Sequence, residues 1–242
     1  MAASENMTRF VVLSNARSGT SLLTATLGSH PQVMCHGEIF HRKPATHLKG
    51  SFSGLTTDEV NEIRLDEDAF VQRVFDQGGF NAVGFKMWRD QSRSCCDKLL
   101  KHEGVKKIIY ERENKLAQHS SNILAKKTGV WNIPNETARS RVKRELIDFD
   151  KRWFVKFKKF QDDLFDYYRS SVVGDVLDVK FSTIASGDFS RVLAFLAVDH
   201  VDLEPKKARM HSANILSRYK PEYHDEIMET LEEIGHPEWV SE

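Results

Sequence analysis

The sequence predicts an α/β domain: a central parallel sheet flanked by helices, with a long amphipathic helix in its second half. Short apolar runs alternate with segments of helical period, the pattern of strands joined by crossover helices. The first apolar run also stops at a loop of small polar residues that feeds a helix. With 242 residues, 40% of them hydrophobic, and no linker-like stretch, the chain is expected to form one domain, 1–242, around one large core.

Phe10 to Leu13 is the expected first strand and Ser18 to Gly28 the first helix, ended by His30-Pro31. Val33-Met34-Cys35 is a short second strand. Residues 41–57, rich in Ser, Gly, Thr, His and Lys, read as a loop that covers or borders the site. A helix over Asp66 to Gln77 carries Phe70, Val71, Val74 and Phe75 at helical spacing. Strands are expected at Ala82 to Trp88 and at Val105 to Tyr110, the latter interior, then a helix from about Lys115 to Lys127 closed by Thr128-Gly129. From Thr137 to Ser170, Val142, Leu146, Phe149, Trp153, Phe157, Phe160, Leu164 and Tyr167 recur every three or four residues and define one apolar stripe. The stripe reads as core, with a dimer or partner surface as its alternative use. A late strand over Val172 to Phe181 and helices over Phe189 to Val198 and Pro221 to Ile234 complete the chain.

Composition narrows the function classes. Lys plus Arg and Asp plus Glu number 35 each, so no global positive field attracts nucleic acid or an anionic membrane. Three cysteines without a C-x-x-C give neither a disulfide framework nor a zinc pattern, and a metal site from Cys35, His36 and His41 is not favoured. Met1 to Asn6 has no secretory character and no run is long enough to span a bilayer, so a cytoplasmic protein is expected.

The chemistry begins at Arg17-Ser18-Gly19-Thr20-Ser21. A strand that ends at a small-residue loop before a helix presents backbone N–H groups at the positive end of the helix dipole, where an anion can accept them. Gly19 allows close approach, Ser18, Thr20 and Ser21 add hydroxyl donors, and Arg17 adds a two-pronged cation. The triphosphate-binding G-x-x-x-x-G-K-[ST] needs two glycines and a lysine; here Asn15 stands where the first glycine belongs, and a terminal monophosphate suits the shorter cradle better. A plain helix cap at Ser18 or Thr20 is the simpler reading, but it leaves Arg17 unexplained. A second constellation follows the interior strand: Arg112, then Gln118, His119, Ser120 and Ser121 on the next helix. In a parallel sheet the carboxyl ends of strands bind ligands, so Arg112 is expected on the edge that carries the Arg17 loop.

Together these segments resemble the sulfotransferases that use 3′-phosphoadenosine 5′-phosphosulfate (PAPS). The loop from Arg17 to Ser21 is similar to that family's 5′-phosphosulfate loop, and Arg112 with Ser120 to its 3′-phosphate pair. Gly37-Glu38-Ile39-Phe40, Gly84-Phe85-Lys86-Met87-Trp88, Ala117-Gln118-His119-Ser120 and Lys127-Thr128-Gly129-Val130-Trp131 resemble the bacterial branch that sulfates trehalose, glycolipids and nodulation oligosaccharides. Val192 to Val198 resembles the family's late helix. The likeness implies a P-loop-like sheet, PAPS as sulfuryl donor, no required metal, and a small-molecule or glycan acceptor. Arg17 stands where the aryl and steroid enzymes usually have Lys, and Glu113-Asn114 where the bacterial branch often has Arg-Asp. The C-terminal Arg-Lys-Gly signature is missing unless Lys206-Lys207-Ala208-Arg209 plays some of its part. These departures argue against a phenol or steroid acceptor.

The resemblance implies that Arg17 stabilises charge on the leaving oxygen and that Glu38 is the general base that takes the acceptor's proton, with His36 the alternative. Glu38 as a structural partner of Arg42 is the plainer reading. Lys86 is a candidate for contact with sulfonate or acceptor, and Trp88 and Trp131 for a flat face under a sugar. A P-loop kinase or nucleotide hydrolase, and a catalytically inactive nucleotide-binding protein, are the competing classes.

Overall fold

The computed structural model describes residues 7–131, 145–204 and 213–242. These form two compact units: 7–15, 19–111 and 165–204 make the first, and 16–18, 112–131, 145–164 and 213–242 the second. The predicted segment Lys206-Lys207-Ala208-Arg209 and the start of the predicted long helix, 137–144, lie outside the described residues.

The first unit is built on five strands, β1 (Thr8–Ser14), β2 (Val33–Glu38), β3 (Ala82–Trp88), β4 (Lys106–Glu111) and β5 (Val176–Lys180). Their order is β2-β3-β1-β4-β5, and every pairing is parallel. Phe10 to Ser14 are all buried, as expected of a central parallel strand covered on both faces. Phe10 and Val12, two apart, face one core with Leu23 and Leu27 of α1 (Thr20–Leu27). That core continues through Ile108 and Tyr110 of β4 to Ile184 of a short helix (Phe181–Ala185) and Val192, Leu193 and Leu196 of a later one (Ser190–Leu196). On the other face, the Phe85 ring of β3 lies 5.5 Å from that of Phe75, which ends a helix over Glu67–Phe75. Gly84 lets β1 and β3 pair closely, since a Cβ there would stand 2.3 Å from the carbonyl oxygen of Phe10.

The predicted sheet and its helices are therefore present, with corrections. Two helices were not foreseen: α2 (Thr57–Ile63) and one over Arg93–Lys101. Both start at side-chain caps, Thr56 in a reciprocal capping box with Glu59, and Ser92 accepting from the amide of Cys95. The late strand begins at Val176 rather than Val172, after Gly174 turns at φ +78°, and the backbone coils into a helix at Phe181.

The second unit has its own core, in which Leu116, Ala117 and Leu124 of a helix over Lys115–Thr128 meet Phe149, Phe154, Tyr219, Ile227, Leu231 and Trp239. Asn114 caps that helix through the amide of Ala117, and Gly129, at φ +71°, ends it. Among the described residues the predicted long helix runs from Lys151 to Ser171, and 145–150 are not part of it. Upstream of it the amide of Ile147 donates to Arg218 and its carbonyl accepts from Lys220, a strand-like pairing that competes with helix. Its buried positions are Phe154, Gln161, Phe165 and Tyr168, one residue out of phase with the predicted stripe, and Trp153 and Phe160 are 42% and 49% exposed. Leu146 and Phe149, which help set the phase of the predicted stripe, lie before this helix and do not continue it, so the observed buried face is rotated by about 100° from the predicted one. Among the described residues no helix is long and apolar enough to cross a membrane.

Candidate functional site

In the first unit the site grows from the ends of β2 and β3 and the start of α1. Gly19 precedes α1 at φ +82°, and no side chain caps that helix, so the plain cap at Ser18 or Thr20 is not what the loop is for. A Cβ on Gly19 would approach the Phe181 ring to 2.5 Å. Lys86 lies within 3.1 Å of the Ser21 hydroxyl and 3.4 Å of that of Thr20, and its ammonium pairs with Oε1 of Glu38 at 3.0 Å. Gln91 donates to the other Glu38 oxygen at 2.9 Å while accepting from the Trp88 amide. Glu38 and Lys86 are both buried. Glu38 thus has Lys86, not Arg42, as its ionic partner. His36 is buried beside them in sequence; its Nδ1 accepts from the Lys49 amide at 3.1 Å, which leaves its proton on Nε2, and burial pushes its pKa down to about 4.

The second unit gathers the arginines. Arg17 has a left-handed backbone, φ +63°, rare for a residue with a Cβ. Around it, Gln118 donates to the carbonyl of Ala16 (2.7 Å) and the hydroxyl of Ser18 (3.1 Å), while Arg17 Nε donates to the Ser121 hydroxyl (3.0 Å) and its NH1 to the carbonyl of Trp131. Arg112 NH1 donates to the carbonyl of Arg17 at 3.1 Å. Burial, then the neighbouring Arg112, lowers the Arg17 pKa to about 10, still fully protonated near neutrality. Nε and NH2 of Arg112 grip the two carboxylate oxygens of Glu242, the first at 2.7 Å. Ser120 is fully buried; it accepts from Arg218 (3.0 Å) and donates to the carbonyl of Ala117 (3.1 Å).

No family model matches the chain, and no curated protein matches it by sequence. Among solved structures, a sulfotransferase from Alicyclobacillus acidocaldarius aligns with a TM-score of 0.52 and 18% identity over 96% of this chain and 98% of that one. The fold is that of a sulfotransferase. Mouse sulfotransferase SULT7A1 complexed with PAP gives a TM-score of 0.49 at 12% identity over 93% and 83% of the two chains. The sulfotransferase domain of the Synechococcus PCC 7002 olefin synthase gives 0.48 at 14% over 99% and 89%.

Within this sulfotransferase fold the predicted residues fall into two groups. Gly19, Thr20, Ser21, Glu38, His36, Lys86 and Trp88 belong to the first unit, Arg17, Ser18, Arg112, Ser120 and Trp131 to the second. Lys86 meets Glu38, Thr20 and Ser21, and Arg112 meets Arg17. Trp88 is half-buried at the end of β3 with an unpaired indole N–H, whereas Trp131 is 45% exposed. Sequence reasoning missed Gln91, Arg218 and Glu242, and it named Gln118 and Ser121 without their contacts to the Arg17 segment. Ser121 and Gln118, three apart on one helix face, were open to inference from spacing; nothing local marks Arg218 or Glu242. Among the described residues no three His, Cys, Asp or Glu side chains cluster to hold a metal.

Proposed function

We propose that the chain is a PAPS-dependent sulfotransferase that sulfates a hydroxyl of a carbohydrate or glycolipid, as in the bacterial branch its motifs resemble. One observation carries the reading furthest: Arg17 and Arg112, 95 positions apart and each expected to bind one phosphate group of the same donor, lie together, with a guanidinium N–H of one on the carbonyl of the other. A helical side-chain pair, Gln118 and Ser121, holds the Arg17 segment, so the cation is pre-positioned rather than recruited. PAPS supplies an activated sulfuryl group. Arg17, Ser18 and the loop N–H groups would hold its 5′-phosphate and offset charge on the departing oxygen, and Arg112 and Ser120 its 3′-phosphate. Glu38 would accept the acceptor's proton. Both its oxygens are already oriented by Lys86 and Gln91, and each keeps a further lone pair. His36 suits the role less, because its acceptor nitrogen is already taken by the Lys49 amide. Lys86, between Glu38 and the hydroxyls of Thr20 and Ser21, would meet the sulfonate. The three cysteines are unpaired and buried, which supports the cytoplasm as the compartment.

The test is transfer itself. A glycan and glycolipid pool incubated with PAPS and the protein should gain one sulfate by mass spectrometry. Arg17→Ala and Arg112→Ala should each weaken adenosine 3′,5′-bisphosphate binding by about tenfold or more, the worth of a charge-assisted hydrogen bond. Glu38→Gln should bind the bisphosphate normally and lose turnover. Sulfation by Glu38→Gln at the wild-type rate would remove Glu38 as the base.

A further inference from the structure

We propose that Glu242 is a built-in occupant of the anion site on Arg112, so that binding of a bisphosphate nucleotide requires residues 240–242 of the strap over 236–242 to let go. The proposal rests on the reading of Arg112 as a phosphate-binding residue. The carboxylate takes Nε and NH2 of one guanidinium edge, the fork-to-fork geometry that a phosphate would use on that same edge. Both side chains are nearly buried, at 10% and 12% exposure, so the pair is not a loose surface contact. A second anion cannot share that edge, and each oxygen of a phosphate arriving there replaces an oxygen of Glu242.

The strap is docked in a way that can release. Asn114 donates from its amide to the carbonyls of Trp239 (3.0 Å) and Ser241 (2.9 Å). The amide of Glu242 donates to Ala213, that of Ile215 to Val240, and a single antiparallel bridge joins Asn214 to Ser241. His236 stacks on Trp239 with ring centroids 3.9 Å apart, and Trp239 is buried in the core of the second unit. Trp239 is therefore the anchor, and Val240, Ser241 and Glu242 are the segment that can detach. Glu242 also offsets the charge of Arg112, which otherwise repels that of Arg17. Competition of this kind weakens the apparent affinity by the fraction of molecules in which the edge is open.

Isothermal titration of the full chain with adenosine 3′,5′-bisphosphate tests the latch. Glu242→Ala should bind about tenfold tighter than wild type and Glu242→Gln should lie between them, because the amide keeps the shape but loses the charge. Glu238→Gln, an exposed change on the same strap, should leave affinity unchanged. In wild type, saturating bisphosphate should speed hydrogen exchange at the amides of Glu242 and Ile215, a readout that needs no variant. Equal affinities for wild type and Glu242→Ala, or unchanged strap exchange with nucleotide bound, overturn the latch while leaving the donor reading intact. Absence of binding by all variants overturns the donor reading, and the latch falls with it.

Discussion

Gly19 meets two demands at once: a left-handed backbone, and a Phe181 ring where a Cβ would have to be. Gly19→Ala should cost about 2–4 kcal/mol in urea denaturation, the sum of the left-handed penalty and an overpacked contact. Loss of under about 0.5 kcal/mol would mean the loop relaxes freely, as surface positions do. Arg17 bears a similar strain without glycine's exemption, and Gln118, Ser121 and Trp131 hold it there. Lys86 and Glu38 pose the opposite problem, two charges out of water that need each other. Lys86→Met should destabilise by about 3–5 kcal/mol because Glu38 is left buried and unpaired. Adding Glu38→Met should recover much of that loss, and a double variant as unstable as the sum of the singles would show that the two do not interact.

At the scale of elements, β2 and the helix over Lys115–Thr128 each bury a histidine, His36 and His119, and burial pushes both down to about 4 from an ordinary value of 6.5. His119 is ringed by Trp153, Phe154 and Phe157, with Nδ1 3.2 Å from the Tyr219 hydroxyl. Since the folded state holds these rings neutral, the unfolded chain binds more protons below pH 6.5, and stability must fall as pH drops from there toward 4. Each ring contributes a slope of up to about 1.4 kcal/mol per pH unit in that window, and nothing above it. Urea midpoints at about pH 7, 6 and 5 check this, with His119→Gln expected to halve the slope. Helix caps follow the same local logic. Thr56 and Glu59 spell a capping box in the sequence, and reading it would have placed α2 in advance.

The whole molecule has equal numbers of basic and acidic side chains, so the proposed anion affinity would have to come from a few oriented groups rather than a net field. Ligand linkage makes that measurable. Adenosine 3′,5′-bisphosphate at about a hundred times its Kd should raise folding stability by about 2.7 kcal/mol, equally with and without a chelator. Stabilisation only by Mg²⁺-ATP in thermal denaturation would favour the kinase or hydrolase class instead.

What the sequence determined by itself is what short-range physics controls. The strand Ala82–Trp88 was legible to the residue, because a dense apolar run of strand length marks a buried parallel strand even with Lys86 inside it, and so was the turn at Arg17 to Ser21, because glycine and hydroxyl residues leave a local signature. Tertiary structure decided the partners. Arg17 and Ser121 are 104 positions apart, and Arg112 and Glu242 130 apart, and no periodicity reports which distant charge will meet which. The phase of the helix over Lys151–Ser171 was decided the same way, since both of its candidate faces are aromatic and only the packing of Phe154, Phe165 and Tyr168 chose between them.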